Sequence, residues 1–296
     1  MYYDAHTHLN DDTLFAQRPT YLQHFIDAGG VWLVNVGVDH AWSQKAIDIA
    51  IQAAQDFPST RVKATIGYHP SEVCFSDIVT SNPQSSVRSI GDIEFNTTYT
   101  SRSSKWQSIQ QAIQSLKNLY AQYPEHIVAI GECGIDTHYD GDPYIELQKE
   151  LFAQQCDLAK ELQLPIVIHS RDDFASTWDV IKNYKNEKIY FHCRGYGPDE
   201  IKILQDYFPQ LWIGFCGNIS YPKAQLLRDS LYVTCSESIV LETDAPYLAP
   251  QQMRGKTNEP ANVVYIYEYV ATILDIDQQK LQESVAKNTK SLYNIQ

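Results

Sequence analysis

Short apolar runs rich in β-branched and aromatic residues alternate with helical patterns along most of the chain, and this alternation is the strongest constraint on its fold. Runs such as VWLVNVG and PIVIH are apolar almost without interruption, which is typical of strands buried on both faces of a parallel sheet. The pattern predicts strands near residues 1–6, 31–37, 62–68, 127–132, 165–169, 188–192, 211–215 and 239–243.

Helical periodicity fills most of the intervals between these strands. The clearest case is 145–163, where four leucines recur on one face and Pro165 follows directly. The other helices are predicted near 42–56, 107–123, 173–184, 199–208 and 223–231, with two more near 260–275 and 277–288. Eight strand–helix alternations within 296 residues predict an α/β fold, a TIM-type (β/α)₈ barrel formed as a single domain by residues 1–296.

An open, doubly wound sheet would produce a similar alternation, and the polar residues at the strand ends separate the two folds. Five of the eight predicted strands end in His, Glu or Asp. A barrel collects its active site from the ends of many strands, whereas an open sheet concentrates its site at one switch point. The strand ends therefore favour the barrel.

Residues 76–106 interrupt the alternation of strands and helices after the third strand. They are rich in Ser, Thr and Asn and have neither a helical nor a strand period. So long an irregular stretch is usually a functional loop or a disordered insertion. We predict a loop insertion on the face that carries the strand ends, either a lid or a solvated excursion.

His6 and His8 begin a set of six polar residues at strand ends. Their spacing of two on a strand points both imidazoles to the same side, where they can bind one metal ion. The pair alone is weak evidence, because many strand histidines are structural. Four further residues sit at the ends of other strands: Glu132, His169, His192 and Asp244. Together the six residues predict a metal centre.

Charge and cysteine content limit the functions and compartments that fit. The formal net charge is −13, which argues against a broad phosphate-tracking surface, although a metal cluster can supply local positive charge. No apolar run approaches the roughly 20 residues that span a membrane, and no secretory signal is visible. Six cysteines are scattered singly. A reduced, cytoplasmic protein is expected, or a nuclear one in a eukaryote, with no membrane association and no obligate protein partner.

Seven motifs in this chain resemble, in order, those of the TatD family of metal-dependent deoxyribonucleases, which belongs to the amidohydrolase-like metal barrels. They span nearly the whole chain, and the last two are long enough to be specific. The motifs are DAHTHL (4–9), IGYHP (66–70), IGECGID (130–136), LPIVIHSRD (164–172), FHC (191–193), LETDAPYLAP (241–250) and RGKTNEP (254–260).

The resemblance implies two divalent metal ions per chain. His6, His8, Glu132 and Asp244 would hold the first ion. Glu132, His169 and His192 would hold the second, so that Glu132 bridges the two. The mixed ligands suit Zn²⁺, Mn²⁺ and Fe²⁺, and a requirement for Mg²⁺ stays open.

The resemblance also implies roles for residues around the metals. The two metals would activate a water, and Asp244 would accept its proton while Glu132 bridges. His69, in GYHP, would face the pocket without ligating and would stabilise the scissile phosphate together with Arg254. His69 and Arg254 could instead be an ordinary turn histidine and a solvated loop arginine.

The sixth strand departs from the family pattern. The family usually continues this strand as HCFSG, whereas this chain has Arg194, Gly195 and Tyr196 after Cys193. Arg194 would offer bidentate phosphate contacts, or would pair with an acid such as Asp199 and take no part in the reaction. Glu242 is expected to point inward but is left out of the ligand set.

The implied activity is hydrolysis of DNA phosphodiester bonds, as a 3′→5′ exonuclease that favours single-stranded ends. An exonuclease holds only a chain end, which agrees with the acidic composition. One alternative keeps the site but hydrolyses a small phosphate ester, amide or lactone, because a fold does not determine chemistry. Another is a metal-stabilised interaction protein whose site has decayed at Arg194.

Overall fold

Eight parallel strands form one sheet whose neighbours follow the order of the chain, which is the topology of the predicted barrel. The computed structural model describes residues 1–73, 102–138, 144–193 and 195–295. The strands are β1 (Tyr2–Thr7), β2 (Gly30–Asn35), β3 (Arg61–Ile66), β4 (Ile127–Asp136), β5 (Ile166–Arg171), β6 (Ile189–Phe191), β7 (Leu211–Phe215) and β8 (Ile239–Leu241).

The ring is nearly closed between the segment that follows β8 and the end of β1. The backbone N–H of Asp244 donates to the carbonyl of His6 at 2.9 Å, and that of His8 donates to Ala245 at 2.7 Å. The side chain of buried Asp4 also accepts from the backbone N–H of Thr243 at 2.9 Å. These bonds connect the first and last strands at the end of the barrel that carries the candidate site.

Helices surround the barrel. In the described ranges they are α1 (Asp12–Phe15), α2 (Arg18–Asp27), α3 (His40–Asp56), α4 (Arg102–Gln122), α5 (Ile145–Leu162), α6 (Phe174–Ile181), α7 (Pro198–Tyr207), α8 (Gln225–Val233), α9 (Val263–Leu274) and α10 (Gln278–Leu292). Of these, α2, α3, α5, α6, α9 and α10 pack directly against the strands of the barrel. None of these described helices has the combination of length and apolar character needed to cross a membrane.

Three helices differ from the prediction. Helices α1 and α2 were not predicted, because α2 buries only Leu22 and Phe25 and its N-cap residue makes no side-chain cap. Helix α4 begins at Arg102, so the last five residues of the predicted insertion 76–106 are helical. That segment has no apolar repeat to mark a helix start. The rest of the predicted insertion, up to residue 101, lies outside the described residues.

Strand β4 extends four residues beyond its predicted end at 132. Gly131 and Gly134 break the apolar run that marks it in the sequence, but pairing with β5 continues as far as Asp136 opposite Arg171. Gly134 has φ +145°, and a Cβ there would lie 1.9 Å from the carbonyl oxygen of His169. The absence of a side chain therefore lets the two strands approach beside the site.

Large aromatic side chains fill the inside of the barrel below the site. The inward cluster includes Tyr3, Trp32, Tyr190 and Trp212, all buried. Tyr293, just after α10, completes it from below, and its hydroxyl donates to the carbonyl of Ala5 at 2.9 Å. The interior is thus a packed core, and the open end is the one to which the strands' C-termini point.

Candidate metal centre

All six residues predicted as metal ligands converge at the C-terminal end of the barrel. Five are buried to 8% relative exposure or less, and the sixth, His169, is half-buried. Each of the six side chains reaches this end of the barrel because it lies on a strand or in the turn after one. They are His6 in β1, His8 directly after β1, Glu132 in β4, His169 in β5, His192 directly after β6 and Asp244 in the turn after β8.

One half of the centre is formed by the two histidines of the first strand. Their Nε2 atoms lie 3.1 Å apart. His6 Nε2 is 3.3 Å from Glu132 Oε2 and 3.6 Å from Asp244 Oδ1. His8 Nε2 is 3.7 Å and 3.4 Å from the same two oxygens. Two imidazole nitrogens and two carboxylates therefore face one common point.

The other half is built around the second oxygen of Glu132. His169 Nδ1 and His192 Nε2 each lie 2.7 Å from Glu132 Oε1 and 3.3 Å from one another. The ring of His192 stacks on that of His6, with centroids 4.0 Å apart. Glu132 thus points one oxygen into each half, as the bridging prediction requires.

Hydrogen bonds outside the centre select the nitrogen that each of two histidines offers to it. His8 Nδ1 faces the carbonyl oxygen of Val36 at 3.2 Å, and His169 Nε2 faces Asp136 Oδ2 at 2.9 Å. An oxygen acceptor needs a proton on the nitrogen facing it. A neutral ring that donates through its outward nitrogen would offer the lone pair of its inward nitrogen to a bound metal ion.

The spacing of the donors also fits a bound ion. Two nitrogens that share one ion at about 2.0–2.1 Å lie roughly 2.9–3.4 Å apart, depending on the angle between them. The observed separation of His6 Nε2 and His8 Nε2 is 3.1 Å. Imidazole and carboxylate donors together suit Zn²⁺ and similar transition metals. The imidazole and carboxylate side chains of the centre can therefore bind a divalent metal ion.

Burial and mutual charge set the protonation of the centre. Burial would raise the pKa of Glu132, but His192, His169 and His6 outweigh it and hold this pKa well below its usual range. For Asp244, burial again acts upwards, but His8, His6 and His192 lower the pKa. Burial, helped by the neighbouring charge of His192, lowers the pKa of His6 to about 4. Burial would lower the pKa of His192, but the charge of Glu132 outweighs it and raises this pKa to about 9, so the anionic carboxylates are balanced by the histidines around them.

His69 lies beside the second half of the centre, as predicted. Its Nε2 is 3.8 Å from Glu132 Oε1, and Glu132, His169 and His69 could together surround an ion. However, the backbone N–H of Ser71 donates to His69 Nδ1 at 3.2 Å. A neutral ring that accepts at Nδ1 carries its proton on Nε2, so His69 presents a donor to the pocket rather than a lone pair. This is the arrangement expected of a phosphate contact.

Of the two arginines predicted to bind substrate, Arg254 lies within the described residues and Arg194 does not. Arg254 is exposed, and its guanidinium lies over the ring of Tyr221, 4.4 Å from the centroid. The hydroxyl of Tyr221 donates to the carbonyl of Ala249 at 2.9 Å, which holds this ring in place. Arg194 lies outside the described residues, so its predicted phosphate contact stays a prediction.

The sequence analysis missed Asp136 and left Glu242 out of the ligand set. Asp136 ends the IGECGID motif, and its carboxylate accepts from His169 and from the backbone N–H of His138. Glu242 points inward and accepts from the Tyr190 hydroxyl and from the backbone N–H of Cys193. It therefore braces the chain on both sides of His192. In each case alternation along the strand was the only available signal.

Known proteins resemble this chain over nearly its whole length. A family model described as TatD related DNase matches residues 3–294. The chain is 29% identical over 296 residues to an uncharacterized metal-dependent hydrolase of Mycoplasma pneumoniae, with 99% of each chain covered. It is 27% identical over 298 residues to YabD of Bacillus subtilis, also called an uncharacterized metal-dependent hydrolase, with 100% of both covered.

A partial match comes from a human protein named a 3′-5′ RNA nuclease, TATDN2. The chain is 31% identical to it over 173 residues, which cover 57% of this chain and 23% of that protein.

Among solved structures, the TatD homologue YJJV of Escherichia coli has a TM-score of 0.79 at 20% identity, covering 100% of this chain and 98% of that one. A TatD-family hydrolase of Entamoeba histolytica has a TM-score of 0.76 at 19% identity, covering 99% and 97%. These structures share the barrel fold.

Proposed function

The chain belongs to the TatD-related DNase family and is a metal-dependent hydrolase, and from this premise we propose that it hydrolyses phosphodiester bonds at the ends of single-stranded DNA. The observation that carries the proposal is Glu132. Its two oxygens face two separate groups of imidazoles, at 3.3 Å from His6 and 2.7 Å from His192. A carboxylate shared in this way suits a pair of metal ions.

We propose two ions per chain, of Zn²⁺, Mg²⁺ or Mn²⁺. The first would be held by His6, His8, Glu132 and Asp244, and the second by Glu132, His169 and His192. When bound, such ions supply a nucleophile at neutral pH and offset negative charge on the phosphoryl oxygens. The donor spacing and the ring protonation described above support this assignment.

The chain's own residues would then position the substrate and move the proton. A carboxylate oxygen of Asp244 accepts the proton of the attacking water, while Glu132 stays ionised between the two halves. The Nε2–H of His69 donates to a non-bridging phosphate oxygen. Arg254, held over Tyr221, contacts the next phosphate along the strand, and Arg194 is proposed for the same face. Donors aimed at the phosphate lower the barrier because charge develops there.

A nucleic acid is favoured over a small ester by the family and by the partial match to a human RNA nuclease. We propose a 3′→5′ exonuclease, because an enzyme that holds only a chain end needs few phosphate contacts, which suits a net charge of −13. Hydrolysis of a small phosphate ester, amide or lactone by the same residues is the alternative. Turnover of small esters without release of nucleotides from oligonucleotides would favour that alternative.

The bridging role of Glu132 can be tested by removing its carboxylate. We expect Glu132→Ala to lose both metals and at least about 10³-fold in hydrolysis, because one change removes a ligand from each ion. The measurements are metal analysis of the purified protein and release of nucleotides from end-labelled single-stranded DNA, with and without chelator. Circular dichroism checks that the variant is folded.

Glu161→Ala is the matched control, because Glu161 is an exposed carboxylate that pairs with Lys117 on the outer surface. It should retain the metal content and activity of the unaltered protein. If Glu132→Ala instead kept two metals and full hydrolysis, the bridging assignment would be wrong. If no reconstituted metal form hydrolysed any nucleic acid, the substrate proposal would fail.

We further propose that residues 1–296 work as one catalytic domain in a reducing compartment, the cytoplasm or a nucleus. The support is that one eight-stranded sheet takes strands from residue 2 to residue 241, so that both ends of the described chain contribute to the same barrel. Five described cysteines are free thiols.

A further inference from the structure

Two aromatic side chains stand beside His8 at the rim of the candidate metal centre. The ring centroid of Trp42 lies 6.0 Å from that of His8, and the ring centroid of Tyr247 lies 6.1 Å away. Tyr247 is 48% exposed, and Trp42 is half-buried. We call these two residues the aromatic rim. Neither belongs to the proposed ligands or phosphate contacts.

The backbone of Trp42 is held in place on both sides. It lies in the first turn of α3, where its N–H donates to the N-cap carboxylate of Asp39 at 2.6 Å. Its carbonyl accepts from the Asn10 side chain at 3.0 Å, and the same amide donates to the Val36 carbonyl at 2.9 Å. The loop after β1 and the loop after β2 thus fix the backbone from which the indole projects.

Tyr247 is held as firmly in the turn after β8. Its N–H donates to the carbonyl of Asp244 at 2.9 Å, and its carbonyl accepts from the Asn258 side chain at 2.6 Å. Its hydroxyl donates to Asp11 at 2.9 Å. A large ring half-exposed to solvent yet tethered at three points is preorganised, so a ligand that stacks on it would lose little side-chain entropy.

The charge of the protein makes such rings useful to an enzyme that acts on nucleic acid. A chain with net charge −13 gains little affinity from a cationic surface. Base–aromatic stacking contributes about 1–3 kcal/mol per base and does not depend on charge or sequence. A phosphate placed at the candidate ligands would bring its attached base close to the rings beside His8.

We propose that the aromatic rim is a binding subsite for the unpaired base of the terminal nucleotide, a proposal that rests on the proposed function. The base contacts the rings of both Trp42 and Tyr247 while its phosphate lies at Glu132 and His69. Because a base in a duplex is already paired and stacked, only a splayed base can reach the rings. The rim would therefore contribute a preference for single-stranded ends.

The test compares two oligonucleotides that differ only in the base of the 3′-terminal nucleotide, present in one and abasic in the other. Trp42→Ala and Tyr247→Ala should each lower the ratio of kcat/KM for the base-containing to the abasic substrate by about 5- to 150-fold, the range that corresponds to loss of one stacked base. Trp42→Phe should keep most of the ratio, because it retains a ring.

Tyr232→Ala is the matched control. Tyr232 is also an exposed tyrosine, 58% exposed, and its hydroxyl binds the carbonyl of Ile273 on the outer helices. Its replacement should leave the ratio unchanged. If Trp42→Ala and Tyr247→Ala lowered hydrolysis of both oligonucleotides by the same factor, the rim would be structural and the proposal overturned, while the proposed nuclease function would stand.

Binding without turnover separates this proposal from the proposed function. A thymidine oligonucleotide with a 3′-terminal phosphorothioate should quench tryptophan fluorescence of the metal-loaded protein, and Trp42→Phe should abolish that quenching. Quenching that the unaltered protein shows without any oligonucleotide hydrolysis would support the rim and contradict the nuclease activity. Equal quenching in the unaltered protein and in Trp42→Phe would overturn the rim.

Discussion

A single hydrogen bond on the outer side of each of three histidines decides whether its inward nitrogen presents a lone pair or a proton. An oxygen behind His8 and another behind His169 accept from the outward nitrogens, so that each ring, when neutral, would offer its inward lone pair to a metal ion. The backbone N–H of Ser71 has the opposite effect on His69. Histidines that look alike in the sequence are therefore assigned different roles by the atoms outside the pocket.

Replacing Asp136 tests whether its hydrogen bond to His169 affects metal binding. We expect Asp136→Ala to lower the affinity for metal in the second half of the centre by roughly 10- to 100-fold, because the ring of His169 loses the acceptor that orients it. Metal titration of the chelator-treated protein measures the change. Hydrolysis at saturating metal should recover much more than hydrolysis at limiting metal.

Asp172→Ala provides the comparison. Asp172 is a nearby exposed carboxylate whose partner is His138 rather than a proposed ligand. It should leave the metal titration unchanged. Identical titration curves for Asp136→Ala and the unaltered protein would contradict an orienting role for Asp136.

Helix α5 covers the barrel and also holds two backbone segments of the candidate site in place. Two buried glutamines on one face of this helix each bind the N–H and the carbonyl of a single residue. Gln148 binds Asp136 in this way, with both distances 2.9 Å. Gln155 binds Tyr68 at 2.7 and 2.9 Å. The helix thus holds the end of β4 and the turn that carries His69.

Gln155→Leu should therefore affect both stability and the site. The substitution buries the N–H and carbonyl of Tyr68 without partners, which costs about 1–3 kcal/mol for each group left unsatisfied. We expect a loss of about 2–6 kcal/mol in the free energy of unfolding, measured by urea denaturation, with a reduced kcat as the turn at His69 loosens.

Gln154→Leu is the adjacent control, since Gln154 is only half-buried and bonds to Glu150 on the same helix. Its free energy of unfolding should change by less than about 0.5 kcal/mol. A similarly small change for Gln155→Leu would mean that water replaces the lost contacts.

For the whole molecule, the acidic composition and the single concentrated centre predict a weak response to salt. Each cationic phosphate contact contributes about −0.7 to the slope of log affinity against log salt concentration for single strands. With two or three such contacts, we expect a slope of about −2 or shallower in kcat/KM for single-stranded DNA. Steady-state kinetics between 50 and 300 mM salt would measure it.

Arg254→Gln should make that slope shallower by about 0.7, because it removes one phosphate contact. A slope steeper than about −5 would contradict the expectation and indicate a broad cationic surface for nucleic acid.

Much of the fold could be predicted from local pattern. The barrel is confirmed, and β7 has the predicted bounds 211–215. Periodicity failed where an element is stabilised by few buried residues, as in α2, or where glycines interrupt an apolar strand, as in β4. Both failures arise because tertiary contacts, rather than local propensity, complete those elements.

Local pattern was enough to place six residues at strand ends, and parallel strands in a ring bring such residues to one rim. They are His6, His8, Glu132, His169, His192 and Asp244. The sequence could not show which imidazole nitrogen faces inward, that Asp136 and Glu242 brace the ligands, or that Trp42 and Tyr247 flank His8. Those features depend on contacts between residues far apart in the chain, such as Tyr247 with Asp11, 236 positions away. Only the closed barrel brings them together.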